Sequence, residues 1–330
     1  MSFKISMVGC GWFARQCHGP ALRRYAAAHR DARLAACCDA DIGRALEFWG
    51  TFGFERHYSD IQAMLAAEEP DAVILAVPPE AACRAAGPVL GRGLPLLLEK
   101  PPGMSPAELE RLIGAAGEGG ARVQVAFNRR YMPIMRQARS ILDSEFRTGS
   151  PGRIDYTLLR FDRWDPDFST TAIHAMDAVL FLAGSPFRAA EVRYQTQRQG
   201  EREATGVVVE AECVSGARVA VNIQPVAGLN AEFALIHAVG RTLEVAIPFS
   251  PHSAGGGSLK LWRDDKLAVS HSDNEGDALD WLGVCGETEA FLEAVRSGVG
   301  MVPGLKDCRQ QVALMEAVRL RKSGLISFSP

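Results

Sequence analysis

The sequence predicts an α/β protein of two domains, a doubly wound parallel sheet followed by an α+β domain with a large, mainly antiparallel sheet. Three observations predict it. The chain starts with a strand, a glycine-bearing turn and a helix in immediate succession. Short apolar runs then alternate with helical patterns as far as residue 127, and beyond that the pattern changes to successive β-rich stretches joined by short turns. A chain of 330 residues with 47% hydrophobic and 23% charged residues suits two ordinary globular domains.

The first strand, Lys4 to Val8, is apolar and runs into Gly9-Cys10-Gly11-Trp12-Phe13-Ala14, a Gly-x-Gly-x-x-Ala turn that opens a helix. A pyrophosphate carries two negative charges, and N–H groups at a helix N-terminus meet them only where no Cβ blocks the approach. Gly9 serves the tight turn, Gly11 the close approach, and Ala14 replaces a third glycine where helix meets strand; Trp12 and Phe13 complete the cofactor-binding turn. A glycine turn between any strand and helix is the competing reading. Against it stands a second apolar run, Leu34 to Cys38, that ends in an acid, Asp39. A carboxylate there accepts hydrogen bonds from both ribose hydroxyls and repels a 2′-phosphate, which favours NAD over NADP. The alternative for Asp39 is a solvated turn acid beside Asp41.

A short strand near Arg56 and apolar runs at Ala72 to Val77 and Pro95 to Glu99 come next, with Pro78 at one strand end as a further cofactor contact. Helical patterns at 41–52, 59–67, 80–92 and 105–118 alternate with them, and Val123 to Phe127 closes a Rossmann domain over residues 1–127. The second domain, 128–330, has a helix over 131–144 and β-rich stretches at 153–162, 188–198, 206–214, 217–224, 231–238, 242–247 and 258–270. Helix interrupts them at 171–183, and helices near 278–297 and 306–323 close the chain. Ser253 to Ser258 reads as a glycine-rich loop.

The formal net charge of −3, without a basic run, supplies no field for nucleic acid or an anionic membrane. No apolar stretch reaches a membrane span, and the first strand begins too early to leave room for a signal peptide, so a cytoplasmic location is expected. The eight cysteines are scattered, with no Cys-x-x-Cys pair. They read as reduced, mostly buried thiols, and no metal site is expected.

Chemistry is expected outside the carboxyl ends of the Rossmann strands. Lys100 comes immediately after a buried strand, and such a lysine is costly to place unless its ammonium points into a polar cleft. The alternative is a snorkelling strand-end side chain. His174 lies in the helix that interrupts the second sheet, where a neutral imidazole suits proton removal near neutral pH. A hydrogen-bonded structural histidine is its competing reading. His18, His29, His57, His237, His252 and His271 have weaker claims.

Taken together, the Gly-x-Gly-x-x-Ala turn, Glu99-Lys100-Pro101, Phe127-Asn128-Arg129-Arg130-Tyr131 and His174-Ala175-Met176-Asp177 resemble the Gfo/Idh/MocA family in order and spacing over almost the whole chain. The resemblance implies an N-terminal Rossmann domain, a C-terminal domain with a large open sheet, and NAD(P)-dependent oxidation of a secondary alcohol on a sugar, cyclitol or related polyol. Lys100 corresponds to the family lysine that contacts both nicotinamide ribose and reacting hydroxyl, preceded by Glu99 as a further cofactor-binding residue and joined to Pro101 by a cis peptide. His174 corresponds to the general base, and Asn128 and Tyr131 to residues at cofactor and substrate. A homodimer or homotetramer through the C-terminal sheet is implied as well.

Two positions depart from the family pattern. Thr170 stands one helical turn before His174, where an aspartate is common, and Ala82 replaces a common histidine. Thr170 is carried as a substrate contact that can orient the imidazole but adds no charge. The departures keep two alternatives in view: a non-catalytic dinucleotide- or sugar-binding sensor, and an NAD-dependent glycoside hydrolase. Arg160 and Trp164, with Asp162 and Asp165 nearby, form a candidate sugar platform, an aromatic face flanked by polar groups. Their alternative is plain strand and loop surface. Asp177 reads as a support for the helix and Arg130 as a possible ion-pair partner.

Overall fold

The computed structural model describes residues 2–146, 152–250, 256–274 and 276–328. The chain divides into two compact units, residues 1–127 with 284–312, and residues 128–283 with 313–330. The division at residue 127 coincides with the sequence boundary. Residues 284–312, which the sequence reading places in the second domain, pack instead with the first unit.

In the first unit β1 (Phe3–Val8) leads through a widened helical turn into α1 (Gly19–Ala28), and then come β2 (Ala32–Cys38), α2 (Ile42–Phe52), β3 (Arg56–Tyr58) and α3 (Ile61–Glu68). β4 (Ala72–Leu75), α4 (Pro79–Leu90), β5 (Leu96–Glu99), α5 (Pro106–Gly119) and β6 (Val123–Ala126) complete the alternation. Among the described residues these strands form one parallel sheet, ordered β3-β2-β1-β4-β5-β6. Strands flanked by helices on both faces must be apolar throughout, as β4 and the Leu96 to Leu98 run are. Asp41, Asp60 and Ser105 cap α2, α3 and α5 through side-chain oxygens that accept first-turn N–H groups, which explains why these helices begin there. Gly19 lets α1 approach α2, since a Cβ would lie 2.6 Å from the Phe52 ring.

The second unit contains α6 (Pro133–Glu145), β7 (Arg153–Leu159), α7 (Ser169–Ala183), β8 (Phe187–Gln199), β9 (Arg202–Cys213), β10 (Arg218–Gln224), β11 (Ala231–Ala238) and β12 (Arg241–Ala246). Next in the chain are β13 (Ser258–Arg263), β14 (Lys266–Ser272) and the short α8 (Ala278–Trp281), then α9 (Val284–Ser297), α10 (Arg309–Arg319) and β15 (Gly324–Ser327). The second sheet runs β14-β13-β12-β11-β7-β10-β9-β8-β15, with β7 and β10 parallel and the other pairs antiparallel. Strict alternation in β7 and β10 sends Ile154, Tyr156, Leu158, Val219, Val221 and Ile223 inward on the face that α7 packs against. The other face carries Thr157, Leu159, Phe233 and Leu235.

Two sequence expectations change and a third is partly outside the described residues. The stretch 258–270 is a hairpin, because Asp264 and Asp265 both take positive φ, 47° and 64°, and turn the chain. The helix near 278–297 is two, broken at Gly283, where φ is +74° and a Cβ would fall 2.3 Å from Asn128 O. The glycine-rich loop lies outside the described residues over 253–255, as does His252.

α9 joins the first unit for a physical reason. Phe291 and Leu292 are fully buried in the cluster that contains Ile5, Leu22, Tyr25 and Phe48. Polar ties reinforce this packing: Tyr25 Oη donates to Glu293 at 2.6 Å, Arg296 clasps Asp31, and Arg122 donates to the carbonyls of Ala294, Val295 and Val299. The N–H of Val125 at the sheet edge donates to Pro303 O at 2.8 Å.

Candidate active site

In the first unit the strand order reverses between β1 and β4, and a cavity of about 680 Å³ opens at their carboxyl ends. Open α/β sheets bind ligands at such a switch point. Gly9 closes one wall with φ +90° and its N–H donating to Cys38 O at 2.8 Å; a Cβ there would stand 2.1 Å from Ala76 O. No other residue can occupy that position without moving the backbone just after β4. A Cβ on Gly11 would meet no protein atom within 4 Å, because Gly11 faces the cavity. The two glycines are thus required for different reasons, one by the fold and one by open space beside a helix start. Such space suits a diphosphate.

Asp39 lines the same cavity. Its Oδ2 accepts the Cys10 N–H at 2.8 Å and its Oδ1 the Asp41 N–H at 2.9 Å, so the carboxylate is held by the glycine turn and by its own loop. A carboxylate has about four acceptor sites, which leaves capacity for two ribose hydroxyls. Trp12, 73% exposed, and Pro78 reach the cavity too. Phe13 is at the surface beside it, and Ala14 is buried in helix packing. Sequence reading missed Arg44, Ser59, Gln62 and Arg84, which also line the cavity. Arg44 leans to Asp41 at 3.4 Å. Ser59 directly follows β3, and Arg44, Gln62 and Arg84 stand in the first two turns of α2, α3 and α4, so a place after the strands of an alternating fold was the available signal. The thiol of Cys10, beneath the turn, is pushed up by its hydrogen bond to Cys37 and by burial, so it is no nucleophile.

At the end of β5, Glu99 and Lys100 are partly buried and the Lys100–Pro101 peptide is cis, as the resemblance implies. Glu99 accepts the Lys100 N–H at 3.1 Å and a hydrogen bond from His18 at 2.8 Å. His18, whose claim from sequence is weak, is buried at this position.

In the second unit His174 is half-buried in α7, with Thr170 one turn earlier and Asp177 almost one turn later. Asp177 is fully buried and receives a bidentate contact from Arg130 at 2.7–3.1 Å, which anchors α7 to the turn at Asn128–Tyr131. Asn128 Nδ2 donates to Leu282 O at 2.8 Å in the same unit, and Tyr131 is half-buried at the end of that turn. Arg160 is buried. Its Nη2 donates to Glu232 at 2.7 Å, and Glu232 also takes Arg129 at 2.6 and 2.8 Å and the Tyr156 hydroxyl. Burial alone raises the Glu232 carboxyl, but the charges of Arg129 and Arg160 outweigh it and leave it low, at about 2. Arg160 is therefore engaged in a buried network, whereas Trp164 is on the loop leading to α7. The Trp164 indole N–H donates to Asp162 at 2.6 Å and Arg202 stands over its ring at 5.9 Å.

A dinucleotide-binding Rossmann unit with a lysine at its fifth strand end, joined in sequence to an α+β unit carrying a helix histidine, defines a class of nicotinamide oxidoreductase folds. Residues 3–127 match the oxidoreductase family with the NAD-binding Rossmann fold. That match makes the first unit similar to the Gfo/Idh/MocA family. It is 28% identical over 247 residues to the D-apiose dehydrogenase of Paraburkholderia graminis, covering 68% of this chain and 63% of that one. It is also 25% identical over 295 residues to an inositol 2-dehydrogenase of Corynebacterium glutamicum, covering 82% and 80%. An Agrobacterium radiobacter oxidoreductase solved with NAD+, L-tartaric acid and magnesium superposes with a TM-score of 0.83 at 18% identity, over 99% of this chain and 98% of that one. Levoglucosan dehydrogenase solved with NADH and L-sorbose gives 0.81 at 18% identity over the whole of both chains. At these identities the solved structures show likeness of fold.

Proposed function

We propose that the chain is an NAD-dependent dehydrogenase that oxidises a secondary alcohol of a sugar, cyclitol or related polyol. The observation that carries it is the Asp39 carboxylate poised over the glycine turn at the switch point of the sheet. Gly9, Gly11, Trp12, Asp39 and Pro78 would hold the dinucleotide, which when bound supplies a hydride acceptor. Lys100 hydrogen-bonds the substrate oxygen and favours its anionic form. His174 accepts the hydroxyl proton, and Thr170 orients its ring from one turn away. The family match over residues 3–127 and relatives named as D-apiose and inositol dehydrogenases support this substrate class.

NAD should bind at least about tenfold more tightly than NADP, a difference of about 1.4 kcal/mol, because a 2′-phosphate faces Asp39. Titration of both cofactors checks it, and equal affinities would sink the assignment. Arg44 and Arg84 line the cavity as well, which makes this comparison informative. Asp39→Ala should narrow the gap chiefly by weakening NAD. The substrate is sought by monitoring NAD reduction with D-apiose, myo-inositol, glucosides and sugar acids. Thr170 in place of a carboxylate favours the sensor as the second reading. Tight cofactor binding with no turnover across the panel would select that reading.

A homo-oligomer formed through the open face of the second sheet belongs to the same proposal. Leu159, Phe233 and Leu235 lie on that face, with Phe233 42% exposed, and a partner chain would remove them from water. The reduced cysteines support a cytoplasmic setting.

A further inference from the structure

The helix that opens at Trp12 is not regular. Over Ala14–His18 it widens into a π turn before continuing as α1 at Gly19. A π turn inserts a residue and rotates the later side chains around the helix axis; such turns are rare and are found frequently at functional sites. This one ends on His18, whose side chain is 2% exposed. The imidazole Nε2 lies 2.8 Å from Glu99 Oε1, and Phe13 packs edge-on against the ring with centroids 5.5 Å apart. The other oxygen, Glu99 Oε2, accepts the Lys100 N–H at 3.1 Å.

One carboxylate thus ties the π turn to the backbone of the lysine. Burying an imidazole beside a carboxylate is costly unless each satisfies the other, and an apolar side chain would fill the space more simply. An ionised carboxylate only accepts hydrogen bonds, so Nε2 carries the proton in this contact.

We propose that His18 is a positioning residue for Lys100, acting through Glu99. The Nε2 proton holds Oε1, the held carboxylate sets Oε2 under the Lys100 N–H, and that contact fixes the direction in which the lysine leaves the strand. The inference rests on the reading of Lys100 as the group that binds the reacting oxygen. It adds why a buried imidazole, a partly buried carboxylate and a widened helical turn stand next to that lysine.

The test uses the full chain with His18→Leu, His18→Gln and Glu99→Gln. A glutamine amide reaches nearly as far as Nε2 and donates as it does, whereas leucine donates nothing. Lys100 is probed by trace acetylation with acetic anhydride, its rate read against Lys260 and Lys306 in the same digest. His18→Leu should change the relative Lys100 rate by about threefold or more and lower kcat about tenfold, the scale of a misplaced reacting group. KM and NADH affinity should hold within about twofold. His18→Gln should restore both the labelling rate and kcat. Glu99→Gln, which leaves one oxygen for two donors, should disturb Lys100 labelling even if His18→Leu fails to fold. An unchanged Lys100 rate in His18→Leu and Glu99→Gln overturns the proposal, as does a kcat loss that His18→Gln does not recover. Lys100→Met with wild-type turnover would instead overturn the role of Lys100 in the reaction, whatever the labelling shows.

Discussion

Gly9 and Gly11 are two residues apart, and substitution to alanine should separate their roles. At Gly9 a Cβ collides with Ala76 O at 2.1 Å, and the backbone is in the left-handed region. Gly9→Ala should therefore lower stability by about 1–3 kcal/mol or more and abolish NAD binding. Gly11→Ala meets no protein atom, so thermal stability should stay near wild type while NAD affinity falls about tenfold or more. Equal NAD affinity of Gly11→Ala and wild type, by titration, would remove the pyrophosphate from that position. For the reaction, Lys100→Met should keep fold and cofactor binding and lose most turnover. His174→Ala should cost about a hundredfold or more and Thr170→Ala about tenfold or less, the scale of a general base and of a group that only orients it. Should His174→Ala oxidise the best substrate at the wild-type rate from about pH 6 to about pH 9, the proton leaves by another route.

Elements were legible where periodicity and caps agreed. Asp41, Asp60 and Ser105 mark helix starts that the pattern places within two residues. The π turn was not legible, because five residues at a wider pitch leave no trace in an apolar pattern read at 3.6 residues per turn. The Asp264–Asp265 turn was missed because aspartate tolerates positive φ without announcing it as glycine does. Of the cavity lining, the glycine turn was readable because backbone geometry dictates residue type there, and Asp39 because an acid ends an apolar strand. Arg160 was not, since a strand arginine looks alike whether it faces a sugar or a buried Glu232. That network carries its own prediction. Glu232 in β11 links β7 to the turn before α6, and its carboxyl lies at about 2 against an ordinary value of 4.5. A depressed folded value means stability that is present above pH 4.5 and lost as pH falls toward 2. The linkage amounts to about 3 kcal/mol, and Glu232→Gln should forfeit at least that much at neutral pH by stranding two buried guanidinium groups. Denaturant titration at neutral pH and in acid measures both, and an acid-insensitive midpoint would contradict the first.

At the scale of the whole molecule, sedimentation should give a mass of two or four chains of 35.7 kDa, and Phe233→Lys should reduce it to one by placing a charge on the open sheet face. A wild-type protein sedimenting as a single chain would dismiss the oligomer. The return of residues 284–312 to the first unit also bears on synthesis. A ribosome releases the six strands of the parallel sheet first, yet Phe291 and Leu292, which complete the core around Ile5 and Leu22, emerge only after β7 to β14 of the other unit. The nascent N-terminal segment must therefore wait, with an apolar surface on α1 uncovered, while the intervening unit is made. A fragment cut after Phe127 keeps that vacancy for good and should be captured by chaperones or aggregate, although the sequence boundary there looks clean.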